Sequence, residues 1–158
     1  FTQHGDYRRL IHNIKYKGEK RCGKYLGSLF ASELLKEGKL QDIDIIAPVP
    51  LHHSRERARG YNQSEWIASG ISKITGIPVN TNSIKRVEAN STQTRKSVWD
   101  RWENVQNLFA VVSSSELQGK HILLVDDVLT TGATIVSCAS KIMEVRGVRI
   151  SVLTLAAA

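Results

Sequence analysis

The chain has 158 residues, of which 41% are hydrophobic; this composition suits one α/β domain with a sizeable core and excludes a disordered chain. No apolar run approaches membrane-spanning length and no signal-peptide pattern opens the sequence, so we expect a cytoplasmic protein that does not insert into membranes. The net charge of +7 favours anionic partners, such as phosphates or nucleic acid.

Hydrophobic spacing predicts two helices before the first strand, over residues 5–17 and 22–37. The apolar positions of the second helix are Leu26, Leu29, Phe30 and Leu34. Residues 43–50 are predicted to form a strand that its prolines stop, and a basic loop follows. A further helix is predicted over about 62–74. Its expected buried face consists of Trp66, Ile67, Ile71 and Ile74.

In the second half of the chain, short strands are predicted over residues 83–87, 109–112, 121–125 and 148–155. A helix over 132–146 separates the last two strands. Its expected inward residues are Ile135, Ala139, Ile142 and Met143. Because a strand–helix–strand unit favours a right-handed crossover, the sequence predicts a parallel sheet and the α/β class.

The most informative stretch is 122–134, ILLVDDVLTTGAT. Its apolar start is typical of a central parallel strand, and ligands of open α/β sheets bind at the carboxyl ends of such strands. Asp126 and Asp127 lie at that end and need hydroxyl donors or a hydrated cation, which a ribose diol or Mg²⁺ would supply. The following loop offers backbone N–H groups and hydroxyls at a helix N-terminus, which favour a phosphate. Its residues are Thr130, Thr131, Gly132, Ala133 and Thr134.

The order of these groups matches the order of groups in a 5-phosphoribosyl unit. The alternative is a plain strand–turn–helix in which Asp and Thr act only as caps. The stretch is neither a Walker A loop nor a Rossmann fingerprint, since it has no GxxxxGK and no GxGxxG.

The stretch 122–134 resembles the diphosphoribose-binding signature of type I phosphoribosyltransferases. Further segments resemble the ComF (competence protein F) subgroup of that superfamily. They are 11–18 (IHNIKYKG), 48–64 (PVPLHHSRERARGYNQS) and 93–97 (QTRKS), the last with Arg101, Asn104 and Phe109 behind it. The resemblance implies one domain over 1–158, with a mainly parallel central sheet flanked by helices. It also implies an N-terminal helical hood over 1–40 and a ligand-binding core over 41–158.

The resemblance also assigns site residues. The loop after the first core strand would grip pyrophosphate through Leu51, His52, His53, Ser54, Arg55, Arg57 and Arg59; the alternative is a solvated basic turn. The polar segment 88–104 corresponds to a flexible lid over the diphosphate, with Arg86, Gln93, Thr94, Arg95 and Lys96 reaching the ligand. Trp99 and Trp102 would anchor this lid or stack on a base. The expected catalytic residues are Asp126, Asp127, Arg86 and Arg95.

The implied substrate is 5-phosphoribosyl 1-pyrophosphate (PRPP) with Mg²⁺, which would be held through PRPP and by Asp126 and Asp127. A nucleophile, the acceptor, would attack C1 of the ribose as pyrophosphate leaves. The sequence does not identify this acceptor. The alternative is a non-catalytic protein that binds PRPP or a nucleotide in DNA uptake, together with single-stranded DNA or other competence proteins. A regulator of transcription on the same fold is less favoured, because no helix-turn-helix is visible. A homodimer is compatible with each of these alternative functions.

The two cysteines, Cys22 and Cys138, are far apart and form no CxxC pair. We therefore expect two reduced structural thiols rather than a metal site. Many ComF-like proteins carry an N-terminal cysteine-rich zinc module, which this sequence does not contain. Because the sequence starts at Phe1, we expect either that such a segment precedes it or that this is a short version of the fold.

Overall fold

The structure, a computed structural model, describes residues 20–87 and 108–157. Their elements in chain order are helix α1 (Lys20–Lys36), strand β1 (Ile45–Pro48), helices α2 (His53–Arg59) and α3 (Gln63–Thr75), strands β2 (Ile84–Arg86), β3 (Phe109–Val111) and β4 (His121–Leu129), helix α4 (Ala133–Met143) and strand β5 (Arg149–Ala157). The predicted helix over 5–17 and the predicted lid over 88–104 lie outside the described residues.

Strand β4 is the centre of a parallel sheet with the order β1–β4–β5. Its side chains alternate between the two faces, as the geometry of a strand requires. Ile122 and Leu124 join a core cluster with residues of α4, whereas Leu123 and Val125 join a second cluster with residues of α1 and α3. The predicted α/β class and the predicted central strand, covered on both faces, are therefore confirmed.

The predicted bounds of β4 were too short. The strand continues to Leu129, because β5 continues beside it and pairs Val128 with Ala156 and Leu129 with Ala157. The two aspartates therefore lie within the last half of β4 rather than after it.

The basic segment after β1, predicted as a loop, is helix α2. The side chain of His52 caps its first turn by accepting a hydrogen bond from the Ser54 N–H at 3.2 Å. Arginine, glutamate and alanine inside the segment all favour a helix. The consequence is that the arginines of this segment stand at helical spacing rather than along an extended turn.

Helix α1 packs on α3 through small residues, so its buried side chains differ from those predicted from the hydrophobic spacing. Its buried positions are Gly23, Gly27 and Ala31, while the predicted Leu29 is 46% exposed. Ser28 Oγ donates to the Gly70 carbonyl of α3 at 3.1 Å. Two other predicted core residues, Ile74 and Met143, lie in the last turns of their helices and are 40% and 56% exposed.

Strands β2 and β3 form a separate antiparallel pair in which Arg86 lies opposite Phe109. A polar network holds the start of β2. Glu116 Oε2 accepts hydrogen bonds from Ser83 Oγ at 2.6 Å and from Asn80 Nδ2 at 2.7 Å, which lowers the pKa of this carboxyl. These contacts fix the strand that carries Arg86.

Cys22 and Cys138 are not joined in a disulfide. Burial, with a smaller contribution from Asp126, raises the pKa of Cys138 to about 12, so this thiol stays protonated and unreactive. Within residues 20–87 and 108–157, no helix combines the length and the apolar character needed to cross a membrane.

Candidate ligand-binding site at the carboxyl edge of the sheet

A cavity of about 180 Å³ opens at the carboxyl edge of the sheet, beyond β1 and along the end of β4. It is lined by Val49, Pro50, Leu51, Arg55, Arg59, Asn62, Gln63, Ser64, Arg86, Asp126, Asp127, Val128, Thr130 and Thr134. Two carboxylates, three guanidinium groups and two threonines thus come together from five different elements and loops. This is the edge at which open α/β sheets bind their ligands.

The two carboxylates of the cavity are tied to the backbone of their own strand. Asp126 Oδ1 accepts from the Asp127 N–H at 2.9 Å, and Asp127 Oδ1 accepts from the Val128 N–H at 2.7 Å. Asp126 is partly exposed in the cavity, while Asp127 is only 6% exposed. Because both side chains are held, their negative charges occupy fixed positions on the cavity wall.

The start of α3 contributes three polar residues that were not predicted to belong to the site. Asn62 caps the helix by accepting from the Ser64 N–H at 3.1 Å, and it donates to the Val49 carbonyl at 3.1 Å. Gln63 Nε2 donates to Asp127 Oδ2 at 3.1 Å, and Ser64 Oγ donates to Asp126 Oδ1 at 3.0 Å. The local signal was the RGYNQS run, which puts three hydrogen-bonding side chains at a helix start.

The loop between β4 and α4 surrounds a small pocket of about 20 Å³. It is lined by Asp126, Val128, Leu129, Thr130, Gly132, Ala133, Thr134 and Ile135. This volume admits one water-sized group, such as a phosphate oxygen. Thr130 and Thr134 line both this pocket and the larger cavity, so the predicted phosphate loop adjoins the aspartates. Thr131 lines neither; its Oγ1 accepts from the Ala133 N–H at 3.4 Å.

The residues predicted to bind pyrophosphate divide into three groups. Leu51, Arg55 and Arg59 line the main cavity. His53 lines a neighbouring cavity of about 340 Å³, which also contains Leu51 and Arg86. The remaining residues, His52, Ser54 and Arg57, are not among the lining residues of either cavity. Their assignment to pyrophosphate stays a prediction, as does that of the whole set.

Arg86 carries a positive charge that the described residues only partly compensate. Its Nε atom is buried without a hydrogen-bond partner in the described part of the chain, and its guanidinium lies 5.4 Å from the centre of the Phe109 ring. Burial lowers the pKa of Arg86, and the charge of Arg55 lowers it further, while Asp126 acts in the opposite direction. A guanidinium in this state favours an anionic ligand. Arg95, Gln93, Thr94 and Lys96 lie outside the described residues.

Gly132 offers a direct test of the phosphate loop. Its φ of 78° lies in the left-handed region, where an alanine is strained by about 1–2 kcal/mol. We expect Gly132→Ala to lower the affinity for ribose 5-phosphate by at least about tenfold, because the strained loop no longer presents its N–H groups to the phosphate. Isothermal titration calorimetry measures this affinity.

The matched control for Gly132→Ala is Gly119→Ala, which introduces the same backbone strain at a φ of 71° in a turn that does not line the cavity. It should lose similar stability and keep the affinity. Equal affinities of the two variants would contradict the role of the 130–134 loop.

The chain is similar to known proteins over most of its length. The phosphoribosyl transferase domain family matches residues 22–158. Competence protein F of Haemophilus influenzae is 41% identical over 143 residues, which cover 88% of this chain and 62% of that protein. The DNA utilization protein YhgH of Salmonella typhimurium is 32% identical over 138 residues, covering 85% of this chain and 60% of that protein. The chain thus spans about three fifths of the length of these curated relatives.

Among solved structures, a similar fold occurs in the glutamine phosphoribosylpyrophosphate (PRPP) amidotransferase from B. subtilis, complexed with ADP and GMP. The TM-score is 0.60 at 19% identity, and the match covers 90% of this chain and 30% of that one. At this identity the likeness concerns the fold alone, and it confirms the predicted type I architecture. The chain therefore belongs to the phosphoribosyltransferase family, in its type I superfamily and ComF subgroup.

Proposed function

We propose that this protein binds PRPP and transfers its 5-phosphoribosyl group to a nitrogenous acceptor with release of pyrophosphate. The observation that carries the proposal is the order of groups along the cavity. The 130–134 loop would bind the 5′-phosphate, and Asp126 and Asp127 would bind the ribose hydroxyls. The cavity wall that carries Arg55, Arg59 and Arg86 would bind the pyrophosphate. These chemical groups follow one another in PRPP in the same order.

In the proposed reaction, the bond between C1 and the pyrophosphate oxygen breaks and its electron pair leaves with pyrophosphate. A bond from the acceptor nitrogen to C1 forms, and the nitrogen loses its proton to solvent. Positive charge develops on the ribose ring in the transition state, and the two nearby carboxylates favour that charge. Arg55, Arg59 and Arg86 would stabilise the negative charge that builds up on the leaving group.

The residues present fit a magnesium ion that is held jointly with the substrate. Carboxylate oxygens are hard ligands, and Mg²⁺ in proteins often uses one or two of them together with substrate phosphates. Asp126 and Asp127 would supply these oxygens. In residues 20–87 and 108–157, no group of three or more His, Cys, Asp or Glu residues could hold an ion alone. When bound, the ion supplies positive charge beside the diphosphate.

Arg86 gives the proposal a quantitative test. We expect Arg86→Met to weaken the binding of inorganic pyrophosphate by roughly ten- to hundredfold, since a charge-assisted hydrogen bond contributes about 1.5–3 kcal/mol. Methionine replaces the guanidinium over the Phe109 ring with a thioether, which also packs well against an aromatic ring, so the melting temperature should change little. Calorimetry with pyrophosphate and Mg²⁺ measures the effect.

Arg146→Met, which removes an exposed arginine outside the main cavity, is the control for Arg86→Met. Unchanged pyrophosphate affinity in Arg86→Met would remove this residue from the site.

The transferase activity itself is tested by incubating the protein with PRPP, Mg²⁺ and a panel of nucleobases and small amines, and by measuring released pyrophosphate. Acceptor-dependent release supports catalysis. Tight PRPP binding without release for any acceptor would favour a binding protein instead.

The names of the relatives favour a second candidate function. One relative is named for competence, Competence protein F, and the other for DNA utilization, the protein YhgH. In this alternative, the protein binds PRPP or a nucleotide as a component of DNA uptake and need not turn it over. The net charge of +7 is compatible with contact to single-stranded DNA. Salt-dependent retention of labelled single strands would support this role, and its absence at low salt would count against it.

A further inference from the structure

We propose that Gln63 and Ser64 are positioning residues that fix Asp127 and Asp126 for a ribose ligand and thereby give the site its preference for ribose over 2-deoxyribose. This inference rests on the proposed function, in which the aspartates bind the ribose hydroxyls. The groups that orient the aspartates lie on α3. Gln63 is 64 residues from Asp127 in sequence, and Ser64 is 62 residues from Asp126.

Each aspartate is held from two directions. One hydrogen bond comes from the backbone of β4, from the Asp127 N–H to Asp126 and from the Val128 N–H to Asp127. The other comes from α3, from Ser64 to Asp126 and from Gln63 to Asp127. Because the two anchors come from different elements, neither carboxylate can rotate without breaking one of them. A fixed carboxylate can discriminate between a hydroxyl and a hydrogen atom at one position of a ligand.

The orientation of the Gln63 amide is set by Asp127. Its Nε2 points to the carboxylate, while its Oε1 is buried without a hydrogen-bond partner in the described residues. A flipped amide would place Oε1 against the negative Asp127, which is unfavourable. Gln63 is only 4% exposed, so its unpartnered oxygen reduces stability. The amide donates to Asp127 although its oxygen stays unpartnered, so the contact with Asp127 explains a polar side chain at this buried position.

Ser64 makes the equivalent contact to Asp126 with a shorter side chain. It is 2% exposed, and its hydroxyl reaches Asp126 at 3.0 Å. Gln63 and Ser64 directly follow the Asn62 cap, so the geometry of this one helix start fixes the orientation of both carboxylates. In metal sites, removing the partner that orients a ligating side chain costs roughly ten- to hundredfold in affinity or activity, and we expect an effect of the same order here.

The experiment compares Gln63→Met and Ser64→Ala with wild type by calorimetry, using ribose 5-phosphate and 2-deoxyribose 5-phosphate as probes. Wild type should prefer the ribose form by at least about tenfold. The variant whose aspartate binds the 2-hydroxyl should lose roughly tenfold or more in affinity for ribose 5-phosphate and little for the deoxy form, which removes most of the preference. The other variant, whose aspartate binds the 3-hydroxyl, should lose affinity for both probes. Gln118→Met and Ser115→Ala, at exposed positions outside the cavity, should keep the wild-type preference.

Melting temperatures separate positioning from a purely structural role. We expect them to change little, because water in the cavity can replace the lost donor and Gln63→Met also removes the unpartnered oxygen. A full preference for ribose 5-phosphate in both variants would overturn the inference, and so would a loss of stability comparable with that of a core truncation. Failure of wild type to bind ribose 5-phosphate at all would instead refute the proposed function on which the inference rests.

Discussion

Asp126→Asn combined with Asp127→Asn is expected to abolish PRPP binding, with a loss of at least about a hundredfold in affinity, while the fold stays intact. Each change removes a charged acceptor that would bind a ribose hydroxyl, and such a hydrogen bond contributes about 1.5–3 kcal/mol. The fold tolerates the change because the Gln63 amide can turn its unpartnered Oε1 towards an asparagine Nδ2. Calorimetry with PRPP and Mg²⁺ measures the binding.

The control must remove the same two negative charges elsewhere, since their loss alone would strengthen the binding of any polyanion. Asp42→Asn with Asp44→Asn does this near the start of β1, at the opposite edge of the sheet from the cavity. The control should bind PRPP at least as tightly as wild type. Normal PRPP binding by the Asp126 and Asp127 double variant would show that the assignment of these carboxylates is wrong.

Gly27→Ala and Gly70→Ala are each expected to destabilise the protein by about 3 kcal/mol or more, which would lower the melting temperature by roughly 6–12 °C. A Cβ at Gly27 would lie 2.2 Å from the Ile67 carbonyl oxygen, and one at Gly70 would lie 2.1 Å from the Lys24 carbonyl oxygen. Both clashes are with backbone, so the two helices must separate. Thermal unfolding followed by circular dichroism measures the loss.

Gly23→Ala is the matched control for these variants, since it lies on the same face of α1. A Cβ there would meet the Trp66 side chain at 3.4 Å, which is an ordinary contact. Alanine also favours a helix over glycine by up to about 1 kcal/mol, so this variant should be as stable as wild type or more so. A melting temperature of Gly27→Ala equal to that of Gly23→Ala would contradict the close packing of α1 on α3.

This packing also connects the helical layer to the site. Helix α3 carries Gln63 and Ser64 at one end and Gly70 in its middle. A displacement of α3 from α1 would move the donors that hold the two aspartates. We therefore expect any residual folded fraction of Gly70→Ala to bind ribose 5-phosphate more weakly than wild type.

The parts of the fold that could be predicted are those whose signals are local. The apolar run of β4, the aspartates after it and the loop before α4 are contiguous, so spacing and residue type sufficed to place this loop beside two carboxylates. Strand and helix ends were less predictable. Strand β4 runs to Leu129 only because β5 runs beside it, and that pairing depends on residues about thirty positions away.

The sequence by itself determined the α/β class and the family, because both depend on residues that are close together along the chain. The tertiary structure decided which polar groups act on one another. Gln63 meets Asp127 and Arg86 shares a cavity with Arg55 only because α2, α3, β2 and β4 converge at one edge of the sheet. It also decided that glycines rather than Leu29 form the buried face of α1. Burial and hydrogen-bond partners follow from packing between distant segments, which no local pattern encodes.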